Sequence, residues 1–303
     1  MTSHLLAVFL SVIAVILPLR YGCSDITGGH CLRAHSRPFM AAIQIKNTTV
    51  CGGVLVRKKW VLTAAHSADC LASLHCCSTS TMEQDTFQWN VLERVLGKEL
   101  WDCKVISTVK QRSDVRVVLG AHQAYKAEKE QQRFKIVHFF SHPLFNRSSK
   151  ENDIMLLKLD HMANLNKYVK CLSLPDTGED IKPGSKCTVA GWGETSPGKL
   201  PKCLREATVK IVDRKDCERK YNKKQKVLNI TRNMLCAGKK MMFSKRDACK
   251  GDSGGPLICG RKYSGIVSFG EKCGMGDKPG VYTRLTEKYI HWIKKTISLN
   301  GEA

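Results

Sequence analysis

The 303-residue sequence predicts an all-β fold, a barrel or a sandwich, with one helix at its C-terminal end. Three observations predict it. Short apolar or β-branched runs recur along the chain, and Gly, Pro, Asn and Asp punctuate them. Only one stretch carries a convincing helical apolar period, and it lies near the end. No internal repeat of solenoid length is present.

Taken in order, residues 5–17 form an apolar run of signal-peptide length, too short to span a bilayer comfortably. Pro18 and Arg20-Tyr21-Gly22-Cys23 end it, and cleavage falls after Gly22 or Cys23. The expected strands then cover residues 39–46, 50–56, 115–119, 134–140, 154–159, 187–190, 207–212 and 263–269. In the final helix Leu285, Tyr289, Trp292, Ile293 and Ile297 share one face, and Lys288, Lys294 and Lys295 largely face away. No second apolar stretch is long enough for a membrane anchor.

Composition narrows the class. Lys and Arg number 49 against 27 Asp and Glu, a formal charge of +22. Such a field attracts polyanions: sulfated glycans, nucleic acid or anionic membrane. Fifteen cysteines without a metal-ligand repeat point to disulfides and an oxidising compartment. Asn47, Asn146 and Asn229 each open an acceptor triplet for N-glycosylation, which a secreted chain can use. Nothing suggests a metal or an organic cofactor.

Three short motifs carry chemistry. Cys249-Lys250-Gly251-Asp252-Ser253-Gly254-Gly255-Pro256 places a serine between glycines, in a turn where backbone N–H groups can converge on a developing oxyanion. Val61-Leu62-Thr63-Ala64-Ala65-His66 sets an imidazole behind small residues that let backbone pack closely. Asn152-Asp153-Ile154-Met155-Leu156-Leu157 leads an aspartate into an apolar strand, where it can be buried against that histidine. Each alone is ordinary. Together they supply a base, an orienting acid and a nucleophile.

The order His66, Asp153, Ser253 and the sequences around them resemble the chymotrypsin-like serine proteases. More narrowly, His35-Ser36-Arg37-Pro38-Phe39-Met40, Val118-Leu119-Gly120-Ala121-His122, Leu165-Asn166-Lys167-Tyr168-Val169 and Leu204-Arg205-Glu206 are similar to granzymes of the A/K tryptase type. The resemblance implies two six-stranded antiparallel β-barrels, residues 26–165 and 166–298, with a C-terminal α-helix and the active site in the cleft between them. It implies Ser253 as nucleophile, His66 as general base, Asp153 as its orienting acid, and the N–H groups of Gly251 and Ser253 as the oxyanion hole.

The same resemblance places Asp247 at the base of the primary specificity pocket, between walls at Gly270 and Gly280. A carboxylate there selects Arg or Lys. Ala248 stands where relatives often have Ser, which removes an acceptor useful to a compact ammonium, so Arg is expected to be preferred over Lys. Ser268-Phe269-Gly270 resembles the strand that pairs with substrate backbone. Residues 1–23 would be a signal peptide and 24–25 an activation dipeptide. Removing it would free the Ile26 ammonium to pair with Asp252.

The implied disulfides are Cys187–Cys259, Cys217–Cys236, Cys249–Cys273 and Cys51–Cys103. A bridge between Cys31 and Cys203 is left open, and Cys171 has no obvious mate. Ser67 occupies the place after His66 where the family carries a cysteine. Residues 67–102 resemble nothing in the family, and deleting them joins His66 to Cys103 and restores the motif. We read 67–102 as a retained intron or gene-model error in preference to a genuine loop.

The sequence therefore reads as a secreted, granule-stored endopeptidase that cuts proteins after Arg or Lys, a monomer of cytotoxic lymphocytes with affinity for sulfated proteoglycan or another polyanion. The alternative is a weak or inactive cationic polyanion-binding homologue on the same fold.

Overall fold

The computed structural model describes residues 29–68, 115–193, 200–222, 228–238, 252–270 and 278–301. Its first sheet is a closed barrel of six antiparallel strands: β2 (Met40–Ile45), β3 (Thr48–Arg57), β4 (Trp60–Thr63), β5 (Val115–Leu119), β6 (Gln132–Ser141) and β7 (Met155–Leu159), in the order β2-β3-β4-β7-β6-β5. Ile43, Leu55, Val117, Phe134 and Leu157 fill its interior. Two-residue hairpins set much of the register. Ile45 pairs with Thr48 across Lys46 and Asn47, both at positive φ, the geometry that matches strand twist.

The second barrel holds β8 (Lys186–Gly191), β9 (Arg205–Val212), β10 (Met234–Gly238), β11 (Pro256–Cys259), β12 (Lys262–Phe269) and β13 (Gly280–Arg284). A pairing of β8 with β9 closes it, and β1 (His30–Cys31) adds to the outer edge of β9. Cys187, Val189, Val209, Leu257 and Tyr282 form its core. The expected architecture of two six-stranded antiparallel barrels is what the chain adopts.

The C-terminal helix lies over the junction, and a further helix appears that the sequence did not suggest. Helix α1 (Arg214–Asn222) buries only Cys217 and Tyr221, two positions one turn apart, so its apolar period is too thin to read. Helix α2 (Glu287–Leu299) begins at Thr286, whose hydroxyl caps the Tyr289 N–H. Tyr289, Ile293 and Ile297 are buried with Leu285, Trp60 and Leu62 of the first barrel and Tyr263 and Ile266 of the second. A smaller cluster ties Met40, Ala42 and Val118 to Ala190, Trp192 and Leu204. The two barrels are thus joined by apolar contact, which holds the residues of the site in one frame. No helix among the described residues is long and apolar enough to cross a membrane.

Three disulfides occur among the described residues. Cys187–Cys259 and Cys217–Cys236 are as the resemblance implied. Cys31–Cys203, left open by the sequence, is formed and ties β1 to the segment before β9. Cys103, Cys249 and Cys273 lie outside the described residues. The three sequon asparagines are all exposed.

Candidate active site

His66 stands three residues beyond the end of β4. Ala64 and Ala65 are wholly or almost wholly buried, and the Ser67 and Ala68 N–H groups bond back to their carbonyls at 3.2 and 3.0 Å. That turn fixes the imidazole direction. Its Nδ1 lies 2.7 Å from Asp153 Oδ2, and the His66 backbone N–H donates to Asp153 Oδ1 at 2.8 Å. Both carboxylate oxygens therefore engage the one residue, which leaves Nε2 as the ring's basic face.

Asp153 comes from the turn before β7. Asn152 precedes it at φ +55°, a left-handed conformation that asparagine tolerates. Its amide donates to the Leu144 carbonyl at 2.8 Å, and its Oδ1 accepts from Tyr289 Oη at 3.0 Å. The second barrel grips the acid itself. Ser268 Oγ donates to Asp153 Oδ2 at 2.5 Å, and Thr283 Oγ1 donates to the Asp153 carbonyl at 2.8 Å. Burial raises the cost of ionising Asp153, but the hydrogen bonds from His66 and Ser268 outweigh it, so its pKa lies below the ordinary value. A fully buried carboxylate is held ionised beside a histidine.

Ser253 sits in a turn clamped from both barrels. Its carbonyl accepts the Gly52 N–H of β3 at 2.8 Å, while Gly254 donates to Val267 at 2.8 Å and Gly255 to Asp252 at 2.9 Å. Gly254 has φ +83°, and a Cβ there would lie 2.5 Å from the Gly52 carbonyl oxygen. Only glycine fits. Asp252 is fully buried, and its Oδ1 accepts the Gly193 N–H at 2.8 Å. A Cβ on Gly191 would overlap that carboxylate.

Of the expected substrate-contact residues, Ser268 lies on β12 with its hydroxyl given to Asp153, Gly270 is exposed at the end of that strand, and Gly280 opens β13 opposite Ala237. Tyr221 of α1 braces both ends: its ring meets Phe269 edge-on at 5.9 Å, and its hydroxyl donates to the Pro279 carbonyl at 2.7 Å. Sequence reasoning missed Tyr221, Thr283, Tyr289 and Gly193. Each acts through one hydrogen bond to a chain segment far away in sequence, and only Tyr289 had a signal, as a hydroxyl on the buried face of α2. Ile26, Gly251, Asp247 and Ala248 lie outside the described residues. No group of three or more metal-ligating side chains occurs among those described.

An ionised buried acid fixing a histidine, and a glycine-flanked serine turn bonded to the same first barrel through Gly52, are the elements of a serine hydrolase. The family model "Trypsin" matches residues 26–90 and 105–293 and leaves out 91–104. The chain belongs to the trypsin family, the chymotrypsin-like serine proteases. It is 35% identical to granzyme A of Bos taurus over 295 residues, 96% of this chain and 95% of that protein. It is 34% identical to granzyme B(G,H) of Mus musculus over 298 residues, 96% and 98% of the two chains. With kallikrein-8 of Homo sapiens it shares 38% over 282 residues, 91% and 88% of the two. It is thus a trypsin-like serine endopeptidase related to granzymes.

Proposed function

We propose that this protein is a secreted, granule-stored endopeptidase of cytotoxic lymphocytes that cleaves proteins after Arg in preference to Lys. The observation that carries the reading is the Asp153 carboxylate, fully buried and bonded through both oxygens to His66. Ser253 Oγ attacks the scissile carbonyl carbon as its proton passes to His66 Nε2. Asp153 holds the tautomer that makes Nε2 basic and stabilises the imidazolium that results. The carbonyl oxygen becomes an oxyanion facing the N–H groups of Gly251 and Ser253, each worth about 3–4 kcal/mol in the transition state. The imidazolium then protonates the leaving amine, and water repeats the sequence on the acyl-enzyme.

Asp247 at the base of the pocket pairs with the substrate cation. Ala248 leaves it as the sole acceptor, which suits the two-pronged guanidinium. Cleavage before Ile26 frees an ammonium for the buried Asp252 side of the serine turn. The enzyme acts as a monomer, carries glycans on its exposed sequons, and associates with polyanions through its charge of +22. Matched Arg and Lys ester substrates test the reading, with Ser253→Ala as control. Turnover should be lost in the variant, and kcat/KM should favour Arg. Equal values for the two substrates would sink the Arg preference, and turnover persisting in the variant would sink Ser253.

A second reading, a weak or inactive cationic homologue, has one observation in its favour. Ser67 follows His66 directly, is fully buried, and its Oγ finds no partner among the described residues. The family's cysteine would fill that place, and an imidazole displaced by an ångström loses orders of magnitude in rate. Comparing the chain with and without 67–102 separates the two: ester turnover present only in the shortened chain assigns the weakness to the segment.

A further inference from the structure

Strands β8 and β9 are antiparallel, and their register sets Lys186 directly opposite Lys210 and Thr188 directly opposite Thr208. Side chains two apart share a face, so the four stand together on the outer surface of the second barrel. Like charges opposed across a sheet destabilise it. Both lysines are exposed, and neither has an acidic partner among the described residues. The acids nearby are engaged elsewhere: Glu206 is gripped through both oxygens by Arg37, and Glu179 lies 3.7 Å from Lys262.

The turn joining β11 to β12 adds a third cation to this face. Cys259 pairs with Lys262, so Gly260 and Arg261 are the two turn residues, at φ +54° and +70°. This turn type favours Gly or Asn at both positions. An exposed arginine in the left-handed region is strained, as Lys46 is in the β2–β3 turn, and glycine at 261 would relieve that strain. Lys186, Thr188, Thr208 and Arg261 line a groove of about 400 Å³ at the junction of the two sheets. Ser36 lines it too, and its buried hydroxyl has no partner among the described residues.

We propose that this groove binds the sulfate groups of a linear sulfated glycan, with Lys186 and Arg261 as the cations that line it, Lys210 as a third beside it across the β8–β9 pair, and Thr188, Thr208 and Ser36 as hydroxyl donors. The proposal rests on the reading that the protein associates with polyanions, and gives that association a place. Paired cations beside paired hydroxyls suit oxyanions spaced along a chain. Stacking of nucleic-acid bases needs exposed aromatic faces, and the one aromatic residue lining the groove, Phe39, packs into the barrel cores.

The test compares heparin dodecasaccharide binding, by calorimetry across a salt series, for three forms of the full chain. These are the unaltered protein, Lys186→Ala/Lys210→Ala/Arg261→Gly, and Lys288→Ala/Lys294→Ala/Lys295→Ala on the outer face of α2. The first triple variant should bind at least tenfold more weakly, with a log K against log salt slope lower by about 2–3. The second loses equal charge and should change less than threefold. Arg261→Gly alone should raise the melting temperature while weakening binding, a pairing that misfolding cannot produce. Equal losses in the two triple variants would overturn the site in favour of net charge. No heparin binding by the unaltered protein would overturn the polyanion reading itself. Single-stranded RNA of the same length bound as tightly, and lost equally in the first variant, would overturn the sulfate assignment.

Discussion

Ser268 shows how one hydroxyl serves the site from across the molecule. It belongs to the second barrel, yet its hydroxyl donates to the carboxylate of the first. A hydrogen bond to a buried charge is worth about 1.5–3 kcal/mol. We expect Ser268→Ala to lower kcat roughly ten- to hundredfold with KM nearly unchanged, because the bond steadies Asp153 and touches no substrate side chain. Steady-state kinetics on an Arg ester check it, and a change confined to KM would contradict the assignment. The family resemblance places Ser268 beside the substrate through its backbone. Its side-chain direction depends on β12 meeting the turn before β7, which no local sequence pattern encodes.

At the scale of the element, the serine turn is held by backbone. Gly52 of β3 donates into it, and Gly254 at φ +83° leaves no room for a side chain against Thr63 and the Gly52 carbonyl. Gly254→Ala combines left-handed strain with a backbone overlap. It should cost at least about 3 kcal/mol, read as a fall in urea midpoint at unchanged m-value. A variant of unaltered midpoint would mean that the turn relaxes freely. The glycines of this octapeptide were legible as a tight turn, and the apolar face of α2 was legible from its period. Helix α1 was not, since Cys217 and Tyr221 alone face inward. Strands β4, β10, β11 and β13 are not legible either, because four or five residues carry too little alternation to stand out.

Across the whole molecule, two buried groups set the response to acid in separate windows. His142 is buried against Tyr289 and Trp292 of α2, and its Nδ1 accepts the Leu144 N–H at 3.2 Å. Burial and the nearby Lys288 lower its pKa. The folded state then binds fewer protons than the unfolded one, so stability falls as pH drops below the unfolded value of about 6.5. His142→Asn offers an acceptor near Nδ1 without titrating, and should flatten stability between about pH 7 and pH 5. Asp153 acts lower. Its folded pKa is depressed, so its contribution is complete above the ordinary carboxylate value and is lost only as pH falls through the folded one. Asp153→Asn should remove that second step, and leave the first. Chemical denaturation at a series of pH values measures both, and a single merged transition in the unaltered protein would contradict the separation.

What the sequence determined by itself was local: the three chemical motifs, the glycines that tight backbone requires, the last helix, and a charge that attracts polyanions. Those features follow from neighbours in the chain, where side-chain type and spacing decide conformation. Resemblance to a family then supplied the barrels and the pairings of Cys187 and Cys217. Only the tertiary structure decided the rest. It joined Cys31 to Cys203, turned Ser268 and Thr283 onto Asp153, set Tyr289 against Asn152, and opposed Lys186 to Lys210. Each of those depends on strand register or on a contact between distant segments, and such pairings are settled by closing barrels and burying their cores together rather than by any stretch of sequence alone.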